Sequence, residues 1–415
     1  KMDQQDFRDL RSWFRKAVIR AKEAEFDIIY AYANHYYLLH NFQNIEINDR
    51  DDYYGGDVKG RSKLLKEIIE ILKEEAQDKM AVAVRFSPDE KINNINETSD
   101  FFNEISELPD LWDLTPSNWD VELGSSRFVE EGDNINFLGQ IKRLTSKPVV
   151  AVGRFTSPDK MASMINKNLI DIIGSARPSI ADPFLPKKIQ ENRLDDIREC
   201  IGCNICYTGD QLGVPIRCTQ NPTIGEEWKR KWHPEILPEK KSNDSFLIIG
   251  AGPSGLEAAH ALGKRGHEVI LSEEKIEIGG RALLESKLPS LNAWIRVRDY
   301  RQQQFLKLQN VKVYTNSKLE TEDILNSEAD RIIFATGSKW RSDGFGRSNT
   351  QFIKKLNNNN NTYTPDDIMN GNIPSGNIAI FDDDYYYLGP VIAELLQKKG
   401  NQVTYISTSA VVCEF

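Results

Sequence analysis

Phe7, Leu10, Phe14, Val18 and Ala21 recur at helical spacing along residues 1–24, and FDIIYAY (26–32) follows as a short β-branched and aromatic run. The chain therefore opens as a helix feeding a strand. The same alternation continues through the apolar runs MAVAVRF (80–86), DLWDLT (110–115), PVVAVGR (148–154) and LIDIIG (169–174). Helical stretches RSKLLKEIIEILKEEAQ (61–77) and SPDKMASMINKN (157–168) stand between them. Near-continuous apolar runs joined by helices predict parallel strands buried on both faces, with polar residues gathered after their C-terminal ends. The expected class is α/β: part of a (β/α)8 barrel, residues 1–190, whose site lies on that face. Five such runs, and a start at Lys1 rather than Met, point to a fragment lacking the first barrel strands.

A polar stretch, KKSNDS (240–245), precedes a different architecture. Gly250, Gly252 and Gly255 form GxGxxG between the strand FLIIG and the helix GLEAAHAL, and Glu273 closes the next strand where a ribose ligand is expected. The glycines permit a tight turn and close backbone approach, while the helix N-terminus offers N–H groups and positive dipole to a pyrophosphate. Gly279, Gly280 and Arg281 are placed to cover that nucleotide, which makes 241–345 an ADP- or FAD-type domain. Residues 346–415 read as a second, truncated Rossmann-like unit, NIAIFDDDYYYLGPVIAELLQKKGNQVTYIS, with its glycines replaced. Asp382 to Asp384 and Tyr385 to Tyr387 bring repulsion and bulk where a nicotinamide dinucleotide needs bare backbone, so an NAD(P)H site is not expected there.

Charge narrows the partners. Lys plus Arg at 53 against Asp plus Glu at 62 gives a net charge of −9, the wrong sign for a phosphate backbone, so nucleic acid is not an expected partner. No apolar stretch approaches the roughly 20 residues of a membrane helix, and no hydrophobic leader opens the sequence. The cytoplasm is the expected compartment, and its reducing conditions suit thiolate ligands.

Four of the five cysteines, Cys200, Cys203, Cys206 and Cys218, lie within residues 191–240 as CxxCxxC with the fourth after eleven intervening residues. Three thiolates on one tight loop can take three corners of a cubane while a more distant one closes the fourth. Structural zinc usually pairs two CxxC knuckles and fits this spacing poorly, so a 4Fe–4S cluster is the preferred reading. His233, His260 and His267 are read as loop or helix-surface residues without a role.

The run CIGCNICYTGDQLGVPIRCTQNPTIGEEWKRKWHPE, preceded by GSARPSIADPFLPKKI and followed by the GAGPSG domain, resembles the trimethylamine, dimethylamine and histamine dehydrogenases over essentially the whole chain. That resemblance implies an FMN-bearing barrel related to old yellow enzyme, one 4Fe–4S cluster, a bound ADP, electron delivery to an electron-transferring flavoprotein, and a homodimer. It matches Tyr32 and His35 to a YxxH active-site pair, Arg85 to a residue at the flavin's pyrimidine edge, and Gly153, Arg154 and Arg177 to the FMN phosphate site. Trp119 aligns with a wall of the substrate pocket and Glu122, in place of an aspartate, with the acid that partners the Tyr–His pair. Asp210 falls where trimethylamine-oxidising relatives carry an aromatic wall; a carboxylate there rewards a substrate with a second polar or cationic group, such as histamine. The loop with Asn48, Arg50, Asp52, Gly55, Gly56 and Arg61 is read as a structural ion-pair network.

The expected activity is therefore oxidation of an alkylamine at the carbon next to nitrogen. The alternatives are an NAD(P)H-dependent enoate or dienoyl-CoA reductase, which needs intact glycines in the second Rossmann unit, and a non-catalytic remnant retaining only the cluster and nucleotide sites.

Overall fold

The computed structural model describes residues 1–88, 95–115, 128–230, 236–353 and 361–413, and the chain divides into two units, Lys1–Pro178 and Ser179–Phe415. Both are mixed α/β with parallel sheets.

The first unit is built on β1 (Ile28–Ala33), β2 (Ala81–Phe86), β3 (Leu111–Leu114), β4 (Val149–Val152) and β5 (Ile172–Gly174). They form one sheet in the order β1-β2-β3-β4-β5, every neighbouring pair parallel. The opening helix, Gln4–Glu23, starts at a capping box in which Asp3 accepts from the Asp6 amide and Asp6 returns the bond, and it buries Phe7, Leu10 and Val18. The helix Val58–Ala76 begins three residues before its apolar pattern does, because the Asp57 side chain accepts from the Gly60 amide and satisfies an end donor. Its buried face, Leu64, Leu65, Ile68, Ile69 and Leu72, covers the sheet. Beneath it Trp112 is fully buried, with the Phe102 ring 4.6 Å and the Phe86 ring 5.6 Å away and its indole N–H donated to Ser106 O at 2.8 Å. Such aromatic pairs add about 1 kcal/mol each beyond buried area. The 48–61 loop is structural: Asn48 Nδ2 bridges Phe42 O and Tyr54 O, and buried Arg61 donates to Gln43 O and Gly56 O and pairs with Glu97.

The second unit holds β6 (Phe246–Ile249), β7 (Val269–Ser272), β8 (Val311–Tyr314) and β9 (Arg331–Phe334) in the order β8-β7-β6-β9. The first strand in sequence is thus central, and the direction of winding reverses between β6 and β9, the place where open α/β sheets take their ligands. Ile248, Ala251, Leu256, Ala259, Val269 and Leu271 form its core. A separate parallel pair, β10 (Asn377–Asp382) and β11 (Gln402–Ser407), is joined by the helix Leu388–Lys398. That helix shares a second core with the cysteine segment: Ile201 and Cys203 pack with Leu291, Trp294, Leu388, Val391 and Leu396.

Two histidines depart from the sequence expectation. His260 and His267 are buried, at 0% and 4% exposure: His260, on the helix Pro253–Lys264, packs its ring 5.9 Å from Tyr300, and His267, beyond the helix end, packs 4.9 Å from Phe246 with Nδ1 2.9 Å from Asp244 O. His233 lies outside the described residues. No helix among the described residues is long and apolar enough to cross a membrane.

Candidate functional site

In the first unit the chemistry gathers at the C-terminal ends of the strands. β1 runs into Asn34, His35 and Tyr36, and the latter two adopt left-handed backbone angles, φ 52° and 56°. Such angles cost a non-glycine residue about 1 kcal/mol or more and mark places where the surroundings impose the conformation. Here the Asn34 side chain accepts from the His35 amide at 2.7 Å and curls the chain back, so that His35 Nδ1 sits 2.6 Å from the Tyr32 hydroxyl. His35 is buried, at 5% exposure, whereas Tyr32 is open at 36%.

Strand register extends this pair sideways. Tyr32 lies opposite Arg85 on β2, and Arg85 opposite Asp113 on β3, so three polar side chains stand in one row on one face. Arg85 Nη1 is 3.3 Å from Asp113 Oδ2, and the guanidinium carbon is 5.9 Å from the Tyr32 ring centroid. Asp113 is not singled out by any motif; its one signal is an acid between the apolar residues Leu111, Trp112 and Leu114. Its partnership matters, because it balances part of the positive charge that Arg85 brings. Tyr30 joins the same face; burial pushes its phenol up, Asp113 adds to this and Arg85 opposes it.

Gly153 and Arg154 follow β4, and Gly174 ends β5 just before Ser175 and the half-buried Arg177. A Cβ on Gly153 would stand 3.0 Å from Gly132 Cα, so a side chain there would be crowded by the neighbouring loop. Arg154 is 9% exposed with a left-handed φ of 53° and donates to Val129 O at 2.8 Å. Ser175 Oγ donates to Phe155 O at 3.3 Å, which draws the two loops together. Two guanidinium side chains are thereby carried on adjacent strand ends. Trp119 and Glu122 lie outside the described residues.

In the second unit the cysteine loop turns on Gly202 and Asn204, both left-handed at φ 67° and 59°. The Gly202 amide donates to Cys200 Sγ and the Gln220 amide to Cys218 Sγ, each at 3.4 Å. Burial pushes the Cys218 thiol up; the Asn221 and Gln220 amides oppose this, and the nearby Cys203 and Cys206 add to it. Cys203 and Cys206 are thus close enough to Cys218 to act on it electrostatically. Among the described residues no three His, Cys, Asp or Glu side chains converge as a single metal ion requires. Asp210, in the helix Ile205–Gln211, is exposed.

The GxGxxG turn divides its glycines by purpose. A Cβ on Gly250, which also has φ 100°, would stand 2.5 Å from Ala335 O, and one on Gly255 would stand 1.9 Å from Gly250 O. Those two are demanded by the protein itself. At Gly252 a Cβ would meet nothing within 4 Å, so the chain alone gives no steric reason for glycine there. Gly280 packs over it, its own Cβ position 2.8 Å from Gly252 Cα. Glu273 is buried and its carboxylate accepts from the Ala251 amide at 2.7 Å and the Lys275 amide at 3.0 Å, which holds the turn shut. Arg281 is turned to Ser338 O at 2.8 Å and to Asp366 at 3.2 Å.

The corresponding turn after β10 is filled from within. Asp382, 4% exposed, accepts from the Asp384 amide at 3.0 Å and the Tyr385 amide at 3.4 Å, and from the Tyr405 hydroxyl. Tyr386 donates to Cys203 O at 2.7 Å, and Tyr387 to Glu285 at 2.8 Å. The amides that would face a pyrophosphate are taken by the chain's own carboxylate.

Residues 1–196 match the NADH:flavin oxidoreductase / NADH oxidase family, and residues 244–366 the pyridine nucleotide-disulphide oxidoreductase family. Dimethylamine dehydrogenase of Hyphomicrobium sp. (strain x) is 37% identical over 411 residues, covering 95% of this chain and 56% of that protein. Two solved structures are similar across 99% of the chain. They are histamine dehydrogenase from Rhizobium sp. 4-9, at 44% identity and TM-score 0.93, and 6-hydroxypseudooxynicotine amine oxidase from Pseudomonas geniculata N1, at 45% and 0.94. The chain covers 61% and 63% of those two. The chain is thus similar to dimethylamine and histamine dehydrogenases over nearly its whole length while spanning less than two thirds of theirs.

Proposed function

We propose that the complete protein is an amine dehydrogenase that uses FMN and a 4Fe–4S cluster, oxidises a small amine at the carbon next to nitrogen, and delivers electrons to an electron-transferring flavoprotein. The strands of the first unit, in unbroken sequential order, are then the later part of a (β/α)8 barrel. FMN supplies the two-electron acceptor for the amine and the cluster a one-electron outlet.

The donor sets suit these groups. Arg154 and Arg177, on adjacent strand ends, form a cationic pair for a phosphate. Cys200, Cys203, Cys206 and Cys218 are buried or partly buried, and two of them receive backbone N–H groups, a donor set that suits thiolate ligands of a cluster. The open space at Gly252 suits the pyrophosphate of an ADP or FAD whose role is structural.

The Tyr32 phenol and His35 imidazole act on the substrate nitrogen. With its proton directed to His35 Nδ1, the phenol oxygen faces outward as an acceptor for an amine N–H, and the linked pair can hold the proton that a protonated amine must lose. The imine product then takes up water and breaks to an aldehyde and ammonia or a smaller amine. Glu122 and Trp119 complete this pocket in the proposal, and Asp210 favours an amine with a second polar group. Gly280 and Arg281 close over the nucleotide side of the second unit.

The observation that carries this reading over an NAD(P)H-dependent reductase is the occupied turn after β10, where Asp382 takes the amides of Asp384 and Tyr385. Anaerobic mixing of the complete protein with histamine, dimethylamine or NADH tests it. Bleaching by an amine and not by NADH is the expected result; bleaching by NADH alone overturns the proposal.

A further inference from the structure

Behind Cys218 lies a buried polar cluster that the proposed chemistry does not use. Gln220, 1% exposed, makes four hydrogen bonds: its amide donates to Cys218 Sγ, its carbonyl accepts from Arg198 Nη1 at 3.0 Å, its Oε1 accepts from Arg301 Nη1 at 3.1 Å, and its Nε2 donates to Glu199 O at 3.1 Å. Arg198 and Arg301 are 2% and 3% exposed. One carboxylate faces them: Glu257 binds Arg301 Nε at 2.7 Å and stands 3.8 Å from Arg198. His260, fully buried beside Glu257, and the Tyr300 ring, 4.9 Å from Arg198, complete the enclosure.

The charge of this enclosure is fixed by chemistry. Both guanidiniums stay protonated. Burial raises the Glu257 carboxyl, but His260, Arg301 and Arg198 outweigh it and hold it near about 2, while burial pushes His260 down. Two buried cations against one partly exposed anion leave a net positive charge in this enclosure. Isolated buried charge is costly unless something opposite lies close by. Glu199 does not supply it, since its carboxylate pairs with Arg296 at 2.5 Å. The buried Asp182 carboxylate accepts from the Arg198 amide at 2.9 Å but is matched by buried Lys188 at 2.7 Å, which leaves the cysteine thiolates, bonded to Gln220 at Cys218, as the feature that can carry the missing negative charge.

We propose that Arg198, Arg301 and Glu257, joined to Cys218 through Gln220, form an electrostatic backing that raises the reduction potential of the cluster; this rests on the cluster assignment above. One-electron reduction adds one negative charge to a centre that four thiolates already make anionic, and no proton need follow. A positive charge buried behind Cys218 favours the reduced form, and the Gln220 amide, held in place by both arginines, does so at the sulfur itself. Gln220 is a positioning residue in this scheme.

The test is a redox titration of the iron-loaded protein, with dithionite as reductant and the electron paramagnetic resonance signal of the reduced cluster as readout. Iron and acid-labile sulfide are measured first. The midpoint potential is expected to fall in R301Q, to stay near the unaltered value in R301K, and to rise in E257Q, which leaves two cations unopposed. Opposite shifts in R301Q and E257Q are what a merely structural salt bridge would not produce. If R301Q loses its iron, the rise in E257Q and the retention in R301K decide. Unchanged potentials in iron-replete variants overturn this inference alone, whereas an unaltered protein without iron or sulfide overturns the cluster assignment and the inference together.

Discussion

The Tyr32 hydroxyl and His35 Nδ1 lie 2.6 Å apart, and a left-handed His35 backbone, fixed by the Asn34 side chain, is what brings them together across three positions. On a continuing strand these residues would project to opposite faces, since side chains alternate. The pairing therefore depends on Asn34 as much as on the two partners. In Tyr32→Phe the fold is expected to hold, because the phenol is exposed at the strand end, while the rate of flavin reduction by amine in the complete protein falls about 100-fold. Stopped-flow absorbance reads this, and Asn34→Ala should reproduce much of the loss with Tyr32 and His35 intact. A Tyr32→Phe protein reduced at the unaltered rate would remove the pair from the chemistry.

Gly252 and Gly255 separate ligand from fold. Gly255→Ala drives a Cβ to 1.9 Å from Gly250 O, a backbone atom that cannot yield cheaply, and should cost about 3 kcal/mol or prevent soluble expression. Gly252→Ala meets no protein atom and should cost less than about 1 kcal/mol in the nucleotide-free protein. Its loss is expected instead in adenine nucleotide released on denaturation and measured by chromatography. Equal nucleotide content in Gly252→Ala and the unaltered protein would contradict a pyrophosphate at that turn.

Much of this arrangement is readable along the chain because its signals are local. The five apolar runs of the first half become β1 to β5, since β-branched residues in short stretches between helical periods leave few other folds. The GxGxxG turn is equally local: strand, glycines, helix and Glu273 fall within one unit. What escapes the sequence is long range. Tyr386 and Cys203 are 183 positions apart and nothing in either neighbourhood announces their hydrogen bond. Asp113 is legible only once strand register sets it beside Arg85, and His260 reads as a surface residue until the helix Pro253–Lys264 is seen to be covered. Arg281 and Asp366 are 85 residues apart, and neither neighbourhood announces their pairing.

Asp196 should contribute to acid sensitivity. Burial raises its carboxyl, but Lys307 at 2.7 Å, Gln304 at 3.1 Å and Arg193 at 3.2 Å together lower it to about 2. A carboxyl whose folded value lies below its unfolded value, about 3.9, stabilises the protein fully above that value. The contribution is lost as pH falls from about 4 toward about 2. Asp196→Asn should therefore reduce stability by about 2 kcal/mol at neutral pH in urea denaturation, with the difference shrinking toward zero in acid. A difference that does not change with pH would assign the loss to hydrogen bonding alone.

The turn after β10 has exchanged one task for another. With its amides held by Asp382, it presents Tyr386 to the carbonyl of Cys203, while Tyr387 packs its ring 4.6 Å from Trp294 and anchors on Glu285. Cys203 and Ile201 already share an apolar core with Leu388 and Val391 of the following helix, so the tyrosine bond adds direction to a contact that burial supplies. Tyr386→Phe keeps the ring and removes only that bond, worth about 1 kcal/mol. A loss of this size should raise the population of the opened cysteine loop about fivefold, and iron release to a chelator should accelerate by a similar factor. Tyr385→Phe serves as the comparison, because its hydroxyl bonds Asp383 and Thr408 instead. Iron release that is equally fast in both variants would mean that the turn supports the fold in general and has no particular hold on the cysteine loop.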